Sequence, residues 1–599
     1  MDVLLWGGQP LLNGDARYLD FGDPVINEAG QIAVVSFNRL TSGAGNSTVI
    51  QSSNAGQSFV ARSNARVPGS STTRFVSFEQ PTQSDAGHVA FVAAVRDPAF
   101  PGGVAEGLYR GGSDGLIQIA DTTEMLTGMS GPPIGFDNGG GNPTINNSGR
   151  VSFTAFTAAG TGGLGLYIAD GTSPTLLART EPNGNDLPDR LVSGVPGAGQ
   201  GSAVTPALND AGQSAFPAFI APAGATTPDY FAIRTDEVTQ ELNIAFGPGN
   251  PAYDDDQIIQ IASGATPGAG IGFSMNASGQ IVTETFDATN STFDLIRMTP
   301  IGSTAGQDTV QVVANFGSTT TGDSGLRLTY SGTTQHAINL NGQVAFTSNT
   351  SGNLQGTSDG NGLFFYDELL GITTVAQSGQ AVPDATSYVF TNNGFGPAGD
   401  GSRFGLNDNG EVAFFARLAE VGNPSNEIDA LFLWDPENGL TQIVRTGSSL
   451  LGGTVASFGF SGGTNERGGE RSGFNNAGEV AFAFELTDGR TGVAVWSDGG
   501  TQVGDYNDNG LVDQGDLNLV LSNWGIDTSP DAAGLVAVPV GWINDHPFGV
   551  IDQGELNRVL TNWGSSLPPS FAQRESSIPE PGFAFAALAG LRLRGRHTR

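Results

Sequence analysis

One pattern, N-x-x-G-x-[VI]-A-F, constrains this chain more than any other. It recurs eight times, opening at Asn27, Ser84, Asn146, Asn209, Asn276, Asn339, Asn407 and Asn475, with spacings of 57 to 68 residues. The Gly stands in every copy (Gly30, Gly87, Gly149, Gly212, Gly279, Gly342, Gly410, Gly478), and six copies carry the Phe (Phe91, Phe153, Phe216, Phe346, Phe414, Phe482). Asn starts a turn by bonding its own backbone, and the Gly accepts a positive φ that a β-carbon would resist. A strand then begins. In "EVAFFARL" Val412 and Phe414 share one face and Ala413 takes the other, so both faces are expected to be buried.

Each unit continues with a second apolar run such as "GLFFYD" (362–367), "ALFLWD" (430–435) or "GLYIAD" (165–170). A third follows, such as "ITTVAQSG" (372–379), and a fourth leads into the next Asn. Four strands in roughly 60 residues make a propeller blade, longer than the roughly 40 to 50 residues of common propeller repeats. The chain begins and ends in mid-unit: residues 3–11, "VLLWGGQPL", match a third strand, while "EVAFAFEL" (479–486) and "GVAVWSDGG" (492–500) are a first and a second. Joined, they complete one blade. The expected fold class is therefore all-β: a propeller of eight four-stranded blades over residues 1–502, seven being the alternative, closed by its N- and C-terminal strands with no exposed sheet edge. A small α-helical module is expected beyond it.

The repeat resembles that of the bacterial "choice-of-anchor tandem repeat NxxGxxAF-containing" family of exported proteins. That resemblance implies surface display and no reaction.

Composition excludes several chemistries. A formal charge of −34 argues against nucleic acid or anionic lipid as a partner, since phosphates repel such a surface. All 25 basic residues are Arg, which excludes Schiff-base chemistry on a Lys amine, and Cys is absent, which removes disulfides, thiol nucleophiles and Cys-ligated zinc. The four His residues, His88, His336, His546 and His597, are scattered singly. No catalytic residue is assigned. "SSNAGQSF" (52–59) fits an Asp-box pattern of sialidase-like propellers, but once only, and reads as a structural turn. The acids Asp254, Asp255 and Asp256 read as a solvated loop before a cation site. His88 replaces the usual Gln or Glu of its repeat as a tolerated variant.

Residues 503–566 change character. Two loop-plus-helix units stand 39 residues apart, "DYNDNGLVDQGDLNLVLSNWG" and "NDHPFGVIDQGELNRVLTNWG". Leu517, Val520, Leu521 and Trp524 fall at i, i+3, i+4 and i+7, one face of a short helix ending at Gly525; Leu556, Val559, Leu560, Trp563 and Gly564 repeat it. The first loop has the spacing of an EF-hand calcium loop: Asp505, Asn507, Asn509, Leu511 through its carbonyl, Asp513 and Asp516, with Gly510 at the bend. In the second, Asn544, His546, Asp552 and Glu555 hold ligand positions, but Phe548 cannot coordinate. The double arrangement resembles dockerin type I, a calcium-folded module that docks on cohesins in polysaccharide-degrading assemblies. That resemblance implies Ca2+ as the bound ion and a cohesin-like protein as a possible partner.

Residues 567–599 form a linker and tail. Pro579, Glu580 and Pro581, an apolar run from Phe583 to Leu591, and Arg592, Arg594, Arg596 and Arg599 together resemble a PEP-CTERM sorting signal. Nine apolar residues span about 14 Å as a helix, short of the roughly 30 Å bilayer core. Membrane attachment is thus expected only through this tail. "MDVLLWGGQPLLNGD" carries no readable export signal, so further residues are expected upstream. The expectation is an exported, surface-associated, non-enzymatic protein that binds extracellular polysaccharide or serves a structural role. A glycan-active propeller hydrolase and a cohesin-docking scaffold component are the alternatives.

Overall fold

A computed structural model describes residues 2–7, 11, 16–40, 45–53, 56–96, 104–128, 132–136, 143–156, 164–179, 190–194, 206–222, 229–235, 242–246, 273–287, 292–300, 308–317, 319, 325–330, 334–352, 360–383, 385–391, 395, 403–450, 453–463, 472–497, 506, 511–527, 539 and 550–564. Two compact units emerge: Val3–Asp498, and Gly499–Arg599 with Met1–Asp2.

The larger unit is a propeller of eight antiparallel sheets. Blades are numbered here by their N-x-x-G turns, from blade 1 at Asn27 to blade 8 at Asn475. Blade 3 shows the plan: Thr144–Ile145 leads into the turn, Val151–Phe156 leaves it, and Leu164–Asp170 and Ser173–Arg179 follow outward in order. The short strands before the turns neighbour one another from blade to blade and form the innermost ring. In several blades this inner strand comes in two pieces, as with Arg74–Phe78 and Thr82–Gln83 in blade 2, both pairing with Val89–Arg96.

The apolar pattern explains the packing. Val412, Ala413 and Phe414 are all buried, so both faces of the strand after the turn are covered, as the alternation predicts. In three blades the repeat Phe stacks on an aromatic residue directly across the ladder: Phe91 on Tyr109, Phe153 on Tyr167, Phe414 on Phe432. Such pairs add about 0.5–1.5 kcal/mol beyond the area they bury. The ladder to the outermost strand slips at the same step in blades 1 to 7, for example between Leu108 and Tyr109 and between Leu431 and Phe432. A bulge repeated at one place bends each blade alike.

Closure follows the expected route. Asp2–Trp6 pairs with Thr491–Trp496, so the first strand of the chain becomes the outer strand of blade 8, with Val480–Leu486 and then Gly453–Phe460 following inward. Gly7 N donates to Thr491 O at 2.8 Å. Leu5, Leu11, Tyr18 and Ile32 share one core with Ala481, Ala483, Val493 and Val495, which seals blade 8 to blade 1.

In the smaller unit, α1 (Gln514–Ser522) and α2 (Gln553–Thr561) enclose a core of Tyr506, Val512, Val520, Ile551 and Val559. Gly525 N donates to Ile551 O and Gly564 N to Val512 O, both at 2.9 Å, so each half closes on the other. The expected helix face needs a correction. Leu521 and Leu560 are 54% exposed, and Trp524 and Trp563 47%. Trp524 lies beyond the end of α1, where the helical period no longer applies, and the small core is filled by Val520 and Val559 with Leu517 and Leu556 beside them.

Candidate functional site

The eight turns lie side by side around the ring. Every repeat Gly has φ between 69° and 84°, the left-handed region. At two of them an added Cβ would also push aside a buried arginine, falling 2.6 Å from Arg110 Nη1 at Gly149 and 2.7 Å from Arg297 Nη1 at Gly342.

The repeat Asn does more than start a turn. Its Oδ1 accepts from backbone N–H groups of its own turn, as Asn407 does from Asn409 and Glu411. Its Nδ2 donates to a backbone carbonyl of the next turn: Asn27 to Ser84, Asn146 to Asn209, Asn209 to Ala277, Asn276 to Asn339, Asn339 to Asn407, Asn407 to Asn475, and Asn475 across the closure to Asn27. All seven amides are buried. The side chain of Ser84 has no amide N–H, and its turn leaves one seam without this bond.

A second ring runs through the residue after each Asn. Backbone N–H groups donate to the corresponding side chain of the next blade: Leu340 to Asp408, Asp408 to Asn476, Asn476 to Glu28, Glu28 to Asp85, and Asn147 to Asp210, while Ala86 donates to Asn147. Ala277 and Leu340 carry no acceptor, so this ring covers six of the eight seams. A third support comes from strands further out. Gln51, Arg110, Arg234 and Arg297 donate to the carbonyls of Gly87, Gly149, Gly279 and Gly342 in the neighbouring turn. Asp308, itself buried, pins Arg234 with two bonds of 2.8 and 3.0 Å.

The sequence reading missed the donor role of the Asn, the second ring and the arginine props. Their signals were present: an Asx or Glu follows the Asn position in six turns, and Arg or Gln recurs in "LYRG", "AIRT", "LIRM" and "VIQS". His88 sits in the blade 2 turn, half-buried, where burial and then Arg110 lower its pKa against the opposing effect of Asp114. "SSNAGQSF" falls on the hairpin between Gly45–Ser53 and Gly56–Arg62 of blade 1, with Ser53 opposite Gly56. Asp254, Asp255 and Asp256 lie outside the described residues.

Of the expected calcium ligands, Asp505, Asn507, Asn509, Asn544 and His546 lie outside the described residues, as does the 567–599 tail. Among the described residues no group of three or more acids or histidines is gathered. Asp513 caps α1, its Oδ1 accepting from Gly515 N at 2.6 Å, and Asp516 Oδ2 accepts from Asp513 N at 2.8 Å. Asp552 and Glu555 repeat the second bond at the start of α2, Glu555 Oε2 accepting from Asp552 N at 2.8 Å. The two halves differ in enclosure. Asp516 is fully buried, whereas Asp552 is exposed and Glu555 half-buried. Among the described ligand positions the first half therefore holds the more enclosed carboxylate, a hard oxygen donor of the kind that suits Ca2+.

Comparison with known proteins finds no curated protein that matches the chain. Solved structures of low similarity include one from a study of two prolyl endopeptidases, at 11% identity and TM-score 0.33, covering 79% of this chain and 54% of that one. A GH74 xyloglucanase from Xanthomonas campestris matches at 13% identity and TM-score 0.26, over 79% of this chain and 77% of that one. The Trypanosoma rangeli sialidase in complex with the inhibitor DANA matches at 9% and 0.24, over 90% and 64%. The chain thus spans about half the length of the endopeptidase, and at such TM-scores none of these likenesses bears on activity. One family model does match most of the sequence, over residues 3–173 and 140–498, which is the propeller: the chain belongs to the family of unknown function DUF7453.

Proposed function

We propose that this protein is an exported, surface-associated binding or structural protein in which the propeller is a rigid head and not a catalyst. The observation that carries the reading is the use made of the repeated polar residues. The Asn amides and the Asx, Gln and Arg side chains around the turns bond neighbouring blades to one another. A surface so braced holds its loops in fixed positions, and binding specificity then resides in those loops. The loop–helix module, which resembles dockerin, is folded by Ca2+ held through Asp505, Asn507, Asn509, the Leu511 carbonyl, Asp513 and Asp516. It attaches the head to a cohesin-like partner or serves as a stalk, and the tail directs sorting. The ion's contribution is folding energy, since it binds only the folded loop.

The full chain, mixed with insoluble cellulose and with xyloglucan in calcium or in chelator, tests this. Retention without release of reducing ends is expected, together with a melting transition of the module that chelator lowers. Release of reducing ends would replace the non-enzymatic reading by a glycan hydrolase. An identical melt in calcium, in chelator and in Asp505→Ala would remove the calcium module.

A further inference from the structure

The second ring of turn residues has an order of its own. Around six consecutive blades it reads Asp408, Asn476, Glu28, Asp85, Asn147, Asp210. Each Asn amide donates to neighbouring carboxylates: Asn476 Nδ2 to Asp408 Oδ2 at 2.8 Å, and Asn147 Nδ2 to Asp85 Oδ2 at 3.3 Å and Asp210 Oδ2 at 2.8 Å. At one place two acids follow each other with no amide between them, Glu28 and Asp85. Glu28 also spans the seam where the two ends of the ring meet. Its Oε2 and Oε1 accept from Asn476 N at 3.0 and 3.2 Å, and its own N–H donates to Asp85 Oδ1 at 3.1 Å.

The charges that act on Glu28 among the described residues are all negative: Asp85 on the following turn, and Asp408 and Glu479 on the turns of blades 7 and 8. Burial first, and then these three acids, push its carboxyl up to about 7 against the opposing pull of the Asn476 N–H. The residue is exposed and its bonds to Asn476 and Asp85 lie at the surface, so a proton reaches the carboxyl freely and the neighbouring acids rather than enclosure distinguish its place in the ring.

We propose that the seam between blades 8 and 1 is a proton-stabilised joint, in which a proton taken up at Glu28 supplies the donor that an Asn amide supplies elsewhere in the ring. The protonated carboxyl keeps one oxygen for the Asn476 N–H and turns its O–H toward Asp85, the acid on the adjoining turn, and no other group changes charge. A carboxyl raised in the folded state adds stability that is complete below the ordinary carboxylate range and is lost as pH rises through about 7. Propeller closure is therefore tightest in mildly acid surroundings.

Thermal unfolding of the full chain in chelator, from about pH 5 to about pH 8.5, tests the joint. The native protein should melt progressively lower from about pH 5 to about pH 7 and level off above. Glu28→Gln has both an acceptor and a permanent donor, so it should melt above the native protein on the alkaline side and lose that part of the fall. Asp85→Asn removes one repelling charge and should move the fall to lower pH. Parallel profiles for the native protein and Glu28→Gln, or an unmoved fall in Asp85→Asn, would overturn the proposal. So would a calcium-induced rise at alkaline pH that disappears in Glu28→Gln, because a cation and not a proton would then fill the gap.

Discussion

The blade turns and the loop–helix module both use short polar side chains to hold backbone N–H groups, yet they choose opposite chemistries. At the first position of the blade turns the residue is a neutral amide. Asn407 accepts from Asn409 and Glu411 through Oδ1 and donates to Asn475 O, one blade away, through Nδ2. In the module it is a carboxylate: Asp513 accepts from Gly515, and Asp516 accepts from Asp513. A carboxylate cannot donate, so it can end a helix or attract a cation but cannot bridge to a neighbouring carbonyl. The comparison explains why seven of the eight turns begin with Asn.

The comparison breaks most completely where closure is removed. Deleting residues 2–7 takes away the outer strand of blade 8 and the Gly7 to Thr491 bond, and exposes the edge strand Thr491–Trp496. Loss of the cooperative melting of the propeller is expected by circular dichroism, with the module's transition unchanged.

A smaller effect tests the amide itself. Asn407→Asp keeps the acceptor but loses the donor, leaves Asn475 O without that bond, and buries a charge beside the Glu411 carboxylate to which Asn407 now donates at 2.5 Å. A loss of about 3 kcal/mol is expected in denaturant unfolding, partly recovered at acid pH. A loss below about 0.5 kcal/mol would mean that the donor is idle.

The smallest effect is a gain. Ser84→Asn supplies the amide at the one turn that lacks it, facing the Asn146 turn, and should stabilise the propeller by about 1 kcal/mol, measured as a higher denaturant midpoint at unchanged slope. A neutral or lower midpoint would show that the blade 2 turn is shaped around Ser84, whose hydroxyl accepts from His88 N.

Much of the fold was legible before any coordinates. The spacing of the Asn-Gly turns set the number of blades, the alternation in "EVAFFARL" set the burial of both strand faces, and the half-units at the two ends set the mode of closure. The α1 and α2 faces were read less well. A period of 3.6 assigns residues to a face only while the helix lasts, and Trp524 and Trp563 lie beyond it. The candidate sites were least legible. Asp516 and Glu555 hold matching places in the repeat of the module, yet one is enclosed and the other is half open.

What the sequence determined by itself was local: which residues turn, which alternate, and where a unit begins, because φ preferences and side-chain periodicity act over a few residues. What only the tertiary structure decided was the traffic between blades: the amide of each Asn reaching the next turn, arginines propping glycine carbonyls, and Glu28 standing beside Asp85 and within the field of Asp408 and Glu479. These partners are 39 to 451 positions apart in the chain, as Arg110 to Gly149 and Glu28 to Glu479 show. Only closure of the ring brings them within hydrogen-bonding or electrostatic range.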